Sequence, residues 1–224
     1  MGCSTRLVSF AIVPLAVSLG LGINAWNSLV SAQITPDTTL GPESSVVESG
    51  VVDGIEVGRI EGGAIRANVL FHSFEKFSID EGRGAYFAQP GGIESILGRV
   101  TGENVSEIMG RLGVLGNADL FLLNPNGVVF GPNASLDIAG SFMVTTAEGF
   151  EFADGAAFSA VNPDAAPLLT VDVTPGLQWG TGAEAGDITT QADLSVGQDL
   201  TFAAGDVAID GSLTAGGDLR IEGV

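Results

Sequence analysis

Between Asn117 and Thr146 the chain alternates short apolar runs with turn residues: LFLL, NPNG, VVF, GPNA, SLDI, AG and SFMV. Each apolar run has the length of a short buried strand, and each interruption has the chemistry of a tight turn. In Asn124-Pro125-Asn126-Gly127, Pro125 sets φ at the second turn position. Asn126 tolerates bridge or left-handed geometry, and Gly127 gives the chain freedom to leave the turn. Nothing in this stretch has the form of a catalytic motif; the pattern specifies an architecture.

The flanking segments extend the picture. From Gln33 to about Gly50 the chain is polar and carries Pro36 and Pro42, as an extended entry segment would. Val51 to Ile60 alternates in part, broken by Gly54 and Gly58, and Glu61-Gly62-Gly63-Ala64 reads as a turn. In VLFHSFEKFSI, Val69 to Ile79, three phenylalanines lie three apart, but Val69, Phe71 and Ser73 also alternate and glycines crowd both sides. A strand with bends is expected there. One short helix is expected at residues 104–112, NVSEIMGRL. Asn104 followed by Glu107 is a capping-box pattern, Ile108, Met109 and Leu112 share a face, and Gly113 can end it. Too short to stand alone, it would pack laterally on the strands. Residues 161–180, with Pro163, Pro167 and Pro175, read as a loop around a strand at Leu168–Val173.

The last third repeats itself. Gly186-Asp187-Ile188 recurs as Gly205-Asp206-Val207, Leu194 as Leu213, and Asp199-Leu200 as Asp218-Leu219, all 19 residues apart. Three landmarks at one offset near 20 residues are the signature of a solenoid. Turn followed by strand, twice per copy, suits a coil of a parallel β-helix better than a leucine-rich repeat, whose Leu/Asn consensus is missing. Like residues then stack at the inter-strand spacing of about 4.8 Å.

Composition narrows the function classes. Hydrophobic residues make up 45% of the 224, too many for wholesale disorder. The 33 glycines have no G-X-Y period and fit many short strands and turns rather than collagen. With 27 acidic against 8 basic residues, a formal charge of −19 argues against nucleic acid, whose phosphates need clustered Lys and Arg.

The first 32 residues read as an address. Arg6 supplies a positive start, Leu7 to Leu21 is largely apolar and contains Pro14, and Val30-Ser31-Ala32 offers small residues before Gln33. Cleavage between Ala32 and Gln33 is expected, with no stable membrane insertion afterwards. Cys3 precedes the apolar run, so the mature chain would hold no cysteine and would rely on packing and backbone pairing alone.

Enzymatic constellations are not found. His72 is the single histidine, and there is no G-x-S-x-G elbow. The mature arginines and the lone Lys76 are scattered, unlike the sheet-face clusters of β-helix polysaccharide lyases and hydrolases. The repeated Asp residues lack the G-G-x-G-x-D nonapeptide of calcium β-rolls and read as turn formers. Gly82-Arg83-Gly84 and Gly91-Gly92 lie outside any phosphate-loop context. Asn104-Val105-Ser106 and Asn133-Ala134-Ser135 match the glycosylation triplet, which is common by chance. No catalytic residue, metal site or cofactor is assigned.

Five pieces, in order, carry a resemblance: AQITPDTTLG (32–41), GGAIRANVLFHSFEKFSI (62–79), GRGAYF (82–87), ILGRVTG (96–102) and NADLFLLNPNGVVFGPNASLDIAGSFMVTTA (117–147). The chain resembles the N-terminal secretion domain of filamentous haemagglutinin-like exoproteins, the passengers of two-partner secretion, in wording closest to cyanobacterial versions. The resemblance covers about Ala32 to Ala160. It implies an all-β, right-handed parallel β-helix with short capping strands. It also implies a secretion-signal and folding-nucleation function. The partners implied are the Sec machinery and the POTRA domains of an outer-membrane barrel, with a downstream passenger that adheres to a surface or glycan. The family's N-P-N-G-[IV] motif falls on Asn124, Pro125, Asn126, Gly127 and Val128. Its second, N-P-N-L type motif is absent as such; Asn68-Val69-Leu70 lies where some members carry a related Asn-Leu pair. The expected organisation is a signal peptide at 1–32, a secretion domain at 33–160 and continuing coils at 161–224. The chain stops without a polar cap, as a fragment or truncated gene would. The alternative readings are an adhesin whose β-helix itself binds glycans or cells and, behind it, a β-helix polysaccharide-degrading enzyme.

Overall fold

A computed structural model describes residue 2 and residues 34–224, apart from 154, 165, 168–175 and 181–184. The expected strand at Leu168–Val173 and the cleavage point at Ala32 and Gln33 lie outside the described residues. The chain enters through β1 (Ile34–Pro36), a 3-10 turn at Gly41–Glu43, the hairpin β2 (Ser45–Val52) and β3 (Ile55–Gly62), and β4 (Ala64–Arg66). It then winds through β5 (Val69–Phe77), β6 (Gly84–Ala88), β7 (Ser95–Val100), β8 (Ser106–Ile108), β9 (Arg111–Leu115), β10 (Asp119–Leu123), β11 (Val128–Phe130), β12 (Ser135–Asp137) and β13 (Phe142–Thr145). An excursion holds β14 (Gly149–Glu151), β15 (Ala157–Ser159) and β16 (Gly176–Gln178). The winding resumes as β17 (Ile188–Thr190), β18 (Leu194–Val196), β19 (Leu200–Ala204), β20 (Val207–Ile209), β21 (Leu213–Ala215) and β22 (Leu219–Gly223).

Three faces repeat along this path. The first stacks β5, β7, β10, β13, β19 and β22; the second stacks β8, β11, β17 and β20; the third runs through β3, β6, β9 and β12, with β18 and β21 pairing above. Every one of these pairings is parallel. A chain that returns in parallel to the same three faces, coil on coil, is a parallel β-helix. On the first face Leu70 pairs with Ile96, Ile96 with Leu120, and Leu120 with Phe142, so successive coils take 26, 24 and 22 residues. Leu200 pairs with Leu219, Leu194 with Leu213 and Ile188 with Val207, which puts the 19-residue repeat in register on all three faces.

The repeat's polar landmarks cap coils. Asp193 Oδ1 accepts from the Ser212 N–H at 2.9 Å, and Asp199 Oδ1 from the Asp218 N–H at 2.8 Å, each one coil ahead. At the corners the backbones close too tightly for a side chain: a Cβ on Gly197 would lie 2.1 Å from the Ala139 carbonyl oxygen, and one on Gly216 2.1 Å from that of Gly197. This accounts for much of the glycine excess. β1 and β4 run antiparallel on β5, and β2 runs antiparallel on β3, so the first coil is capped by reversed strands.

Residues 104–112 are not helical. Ser106 and Ile108 point inward and Glu107 outward on β8, and β9 begins at Arg111. The capping-box pattern is local, whereas β8 pairs with β11, and Ile108 also bridges to Ile79. Those parallel partners outweigh the propensity of a nine-residue helix that lacks enough length to stabilise itself.

Side chains alternate across the first face. Leu70, Phe74, Ile96, Leu120 and Phe142 fill the interior, where Phe130 stacks on Phe202 with centroids 5.7 Å apart. Val69, Phe71, Leu97, Phe121 and Leu123 point outward and are buried as well, under Phe150, Phe152 and Phe158 of the excursion. The excursion is therefore a small antiparallel sheet, β15-β14-β16, laid over the outside of the helix rather than a simple loop. Among the described residues no helix is long and apolar enough to cross a membrane.

Candidate functional site

The turn 124–127 leaves the first face at the end of β10 and enters the second at β11. Asn124 is completely buried. Its N–H donates to the Thr145 carbonyl at 3.0 Å, and its carbonyl accepts from the Gly127 N–H at 3.1 Å, closing the turn. The side-chain amide is saturated. Nδ2 donates to the Asn104 carbonyl and to Ser106 Oγ, both at 2.9 Å, and Oδ1 accepts from Asn126 N and Nδ2, both at 3.0 Å. A buried amide with every donor and acceptor matched fixes one geometry, and each lost partner would leave a desolvated polar atom.

The remaining motif residues bind the neighbouring coils. Asn126 keeps φ negative and works through its side chain, whose Nδ2 donates to the Gly102 carbonyl at 2.7 Å. The Pro125 carbonyl accepts from the Gly186 N–H at 3.0 Å. Gly127 has φ +116°, and a Cβ there would lie 2.9 Å from the Asp187 carbonyl oxygen. Val128 is fully buried, donates to that same carbonyl at 3.0 Å, and lies in register between Ser106 and Ile188. The five residues therefore join the corner beneath (102–106) to the corner above (186–187).

Asn68 and Leu70 are not part of this site. Asn68 precedes β5 and Leu70 is its second residue, at the opposite end of the first face's strands: Asn68 Nδ2 donates to Glu94 Oε2 at 2.7 Å, and Leu70 is interior core. His72 faces inward between Leu70 and Phe74, with Nδ1 2.9 Å from Ser45 Oγ, and burial pushes it down to about 3. It is a neutral core histidine. Among the described residues no group of three or more His, Cys, Asp or Glu is placed to hold a metal ion.

A second polar centre was missed from the sequence. Arg99, in β7, is fully buried on the outer side of the first face, under the excursion. Nε donates to Ser73 Oγ at 2.9 Å, Nη1 to the Ser159 carbonyl at 2.8 Å, and Nη2 to Thr39 Oγ1 at 2.9 Å and the Asp164 carbonyl at 2.6 Å. The guanidinium carbon lies 4.1 Å from the centroid of Phe158. Burial lowers the Arg99 pKa to about 10, so it stays charged at neutral pH. Asp37 completes the network by accepting from Ser73 Oγ and Thr101 Oγ1, each at 2.7 Å, and from Thr39. Burial pushes the Asp37 carboxyl up, but the hydrogen bonds from Ser73, Thr101 and Thr39 outweigh it and hold the group below its usual value. Entry segment, two strands of the β-helix and excursion thus meet in one network around Arg99 and Asp37. The sequence signal was an arginine inside the apolar run ILGRV.

The geometry defines a parallel β-helix with a reversed-strand cap and a laid-over sheet, its corners locked by buried side chains. The family described as "TPS secretion domain" matches residues 32–224, and the chain belongs to that family. The heme/hemopexin-binding protein of Haemophilus influenzae is 37% identical over 75 residues, which is 34% of this chain; the chain spans 8% of that relative's length. The solved secretion domain of filamentous hemagglutinin is similar over 86% of this chain and 98% of that one, at 14% identity and a TM-score of 0.35. The chain is thus a secretion domain of the kind found in two-partner secretion exoproteins. The family is one of secretion domains rather than enzymes.

Proposed function

We propose that this domain both addresses the chain to its transporter and nucleates its folding outside the cell, with Asn124–Val128 as the folding determinant. The supporting observation is the set of bonds from Asn124 and its neighbours to residues 102–106, 145 and 186–187. Those partners lie on the coils before and after the corner's own, so the corner closes only after the third coil has emerged. Each coil then templates the next, and folding outside biases transport outward. Residues 1–32 act as a Sec signal cleaved at Ala32–Gln33, residues 33–160 carry the secretion determinants, and 161–224 are the coils onto which a passenger continues. The passenger supplies any adhesive activity.

Recognition by the transporter's POTRA domains fits strand addition. β2 is an eight-residue edge strand, SVVESGVV, with no Lys or Pro, and among the described strands it pairs only with β3. Such an edge is open to a further strand. The test is secretion of Asn124→Ala from a host expressing the cognate transporter. Released protein should drop sharply while the periplasmic pool persists. Wild-type release would remove the role assigned to this turn.

A further inference from the structure

We infer that Asn126 is a modification site: it deamidates in the unfolded chain, is shielded in the folded domain, and once converted cannot rebuild the corner. No other asparagine in the chain is followed by glycine. Glycine has no side chain to hinder attack by its amide nitrogen. In an unfolded chain the Gly127 nitrogen, on losing its proton to hydroxide, attacks Asn126 Cγ. A nitrogen–carbon bond forms, the Cγ–Nδ2 bond breaks, and ammonia leaves after taking a proton from water. Water then opens the succinimide at either carbonyl and returns a proton to the Gly127 nitrogen. The products are aspartate and isoaspartate, with no change in oxidation state.

The folded corner calls for this labile pair and also closes the reaction off. Gly127 sits at φ +116°, where a Cβ would lie 2.9 Å from the Asp187 carbonyl oxygen. Asn126 acts through its amide, since Nδ2 donates both to the Gly102 carbonyl at 2.7 Å and to Asn124 Oδ1 at 3.0 Å. The attacking nitrogen is held as well, because the Gly127 N–H donates to the Asn124 carbonyl at 3.1 Å. Ring closure must break all three bonds. Asn126 is exposed to solvent, so its shield is bonding rather than burial. From the folded state the reaction therefore runs through local opening of the corner.

Neither product fits back. A carboxylate has no donor, and at position 126 it sets oxygen against the Gly102 carbonyl and the Asn124 Oδ1. Isoaspartate adds a backbone atom just before Val128, whose register against Ser106 and Ile188 the turn has to meet. Conversion is one-way, so it marks chains that stay unfolded. If the chain travels unfolded, as proposed above, transit is the interval of risk; that consequence alone rests on the export reading.

The test holds the full-length purified chain at one pH and temperature, unfolded in guanidinium chloride or folded in buffer, and follows each asparagine by peptide mass mapping. Unfolded, Asn126 should convert ahead of every other asparagine. Folded, its conversion should slow roughly tenfold or more. Hydroxylamine, which cleaves through the same succinimide, should cut the unfolded chain between Asn126 and Gly127 and spare the folded one. Asn126→Asp should lower the denaturation midpoint or abolish the cooperative transition. Asn117→Asp makes the same charge change at an exposed position that can still accept from Gln89, and should stay near wild type. Equal conversion of Asn126 in folded and unfolded chains, faster conversion of another asparagine in the unfolded chain, or a wild-type midpoint for Asn126→Asp would overturn the inference.

Discussion

Asn124 Nδ2 lies 2.9 Å from Ser106 Oγ, a buried contact between the corner of one coil and the first strand residue of the coil beneath. Val128, four residues on, pairs in register with that same Ser106. Corner and strand of adjacent coils are thereby locked in one register, and a one-residue slip would break both.

Asn124→Ala should cost about 1–3 kcal/mol, since it removes four hydrogen bonds made by a buried side chain and leaves the buried Ser106 Oγ without its donor. Urea unfolding of the purified protein measures it. A loss below about 0.5 kcal/mol, the range of surface substitutions, would show that water replaces the amide at little cost.

Gly127→Ala and Gly186→Ala should each destabilise by about 1–3 kcal/mol, for different reasons. The first forces φ +116° on an L side chain, and the second places a Cβ 2.5 Å from the Asn126 carbonyl carbon. A Gly91→Ala control, where a Cβ meets nothing within 4 Å, should stay within about 0.5 kcal/mol of wild type. Thermal unfolding of the three proteins side by side gives the ranking.

Arg99→Met should cost about 3–5 kcal/mol, because Ser73, Thr39 and two carbonyls lose their donor beneath the excursion. Arg99→Lys keeps the charge but loses the fork that reaches all four acceptors, and should recover only part of the loss. Limited proteolysis reads out the excursion: cleavage within residues 146–187 should accelerate in Arg99→Met well before the coils open.

Acid should weaken the fold ahead of carboxylate titration. His72 is depressed to about 3 by burial, so below about pH 6.5 the unfolded chain takes up a proton that the folded chain refuses. Stability from this group is present above pH 6.5 and falls by up to about 1.4 kcal/mol per pH unit as the pH drops towards 3. Asp37, held below its usual value, adds a second loss only below about pH 4. Urea midpoints measured between pH 7 and 4.5 should slope in the wild type and flatten in His72→Met.

Much of the architecture was legible because a solenoid writes its tertiary contacts as a sequence period. Leu194 and Leu213, or Asp199 and Asp218, are neighbours in space because they are one coil apart in the chain. The same logic failed at residues 104–112, where Asn104 and Glu107 matched a helix start but β11 and Ile79 supplied strand partners. Within the Asn124 turn, the residue types announced a turn, and the role of Gly127 follows from its φ. The role of Asn126 did not, since its bond to Gly102 depends on a corner 24 residues away.

By itself the sequence determined the short strands and turns of residues 117–146, the 19-residue register of the last coils and the strongly acidic balance of charge. Those properties are local or periodic, so spacing encodes them. Only the tertiary structure decided that the excursion covers the first face and that Arg99 is buried beneath it. These depend on irregular contacts such as Arg99 to Ser159 and Asp164, 60 and 65 residues apart, which follow no period and become visible only once the coils are stacked.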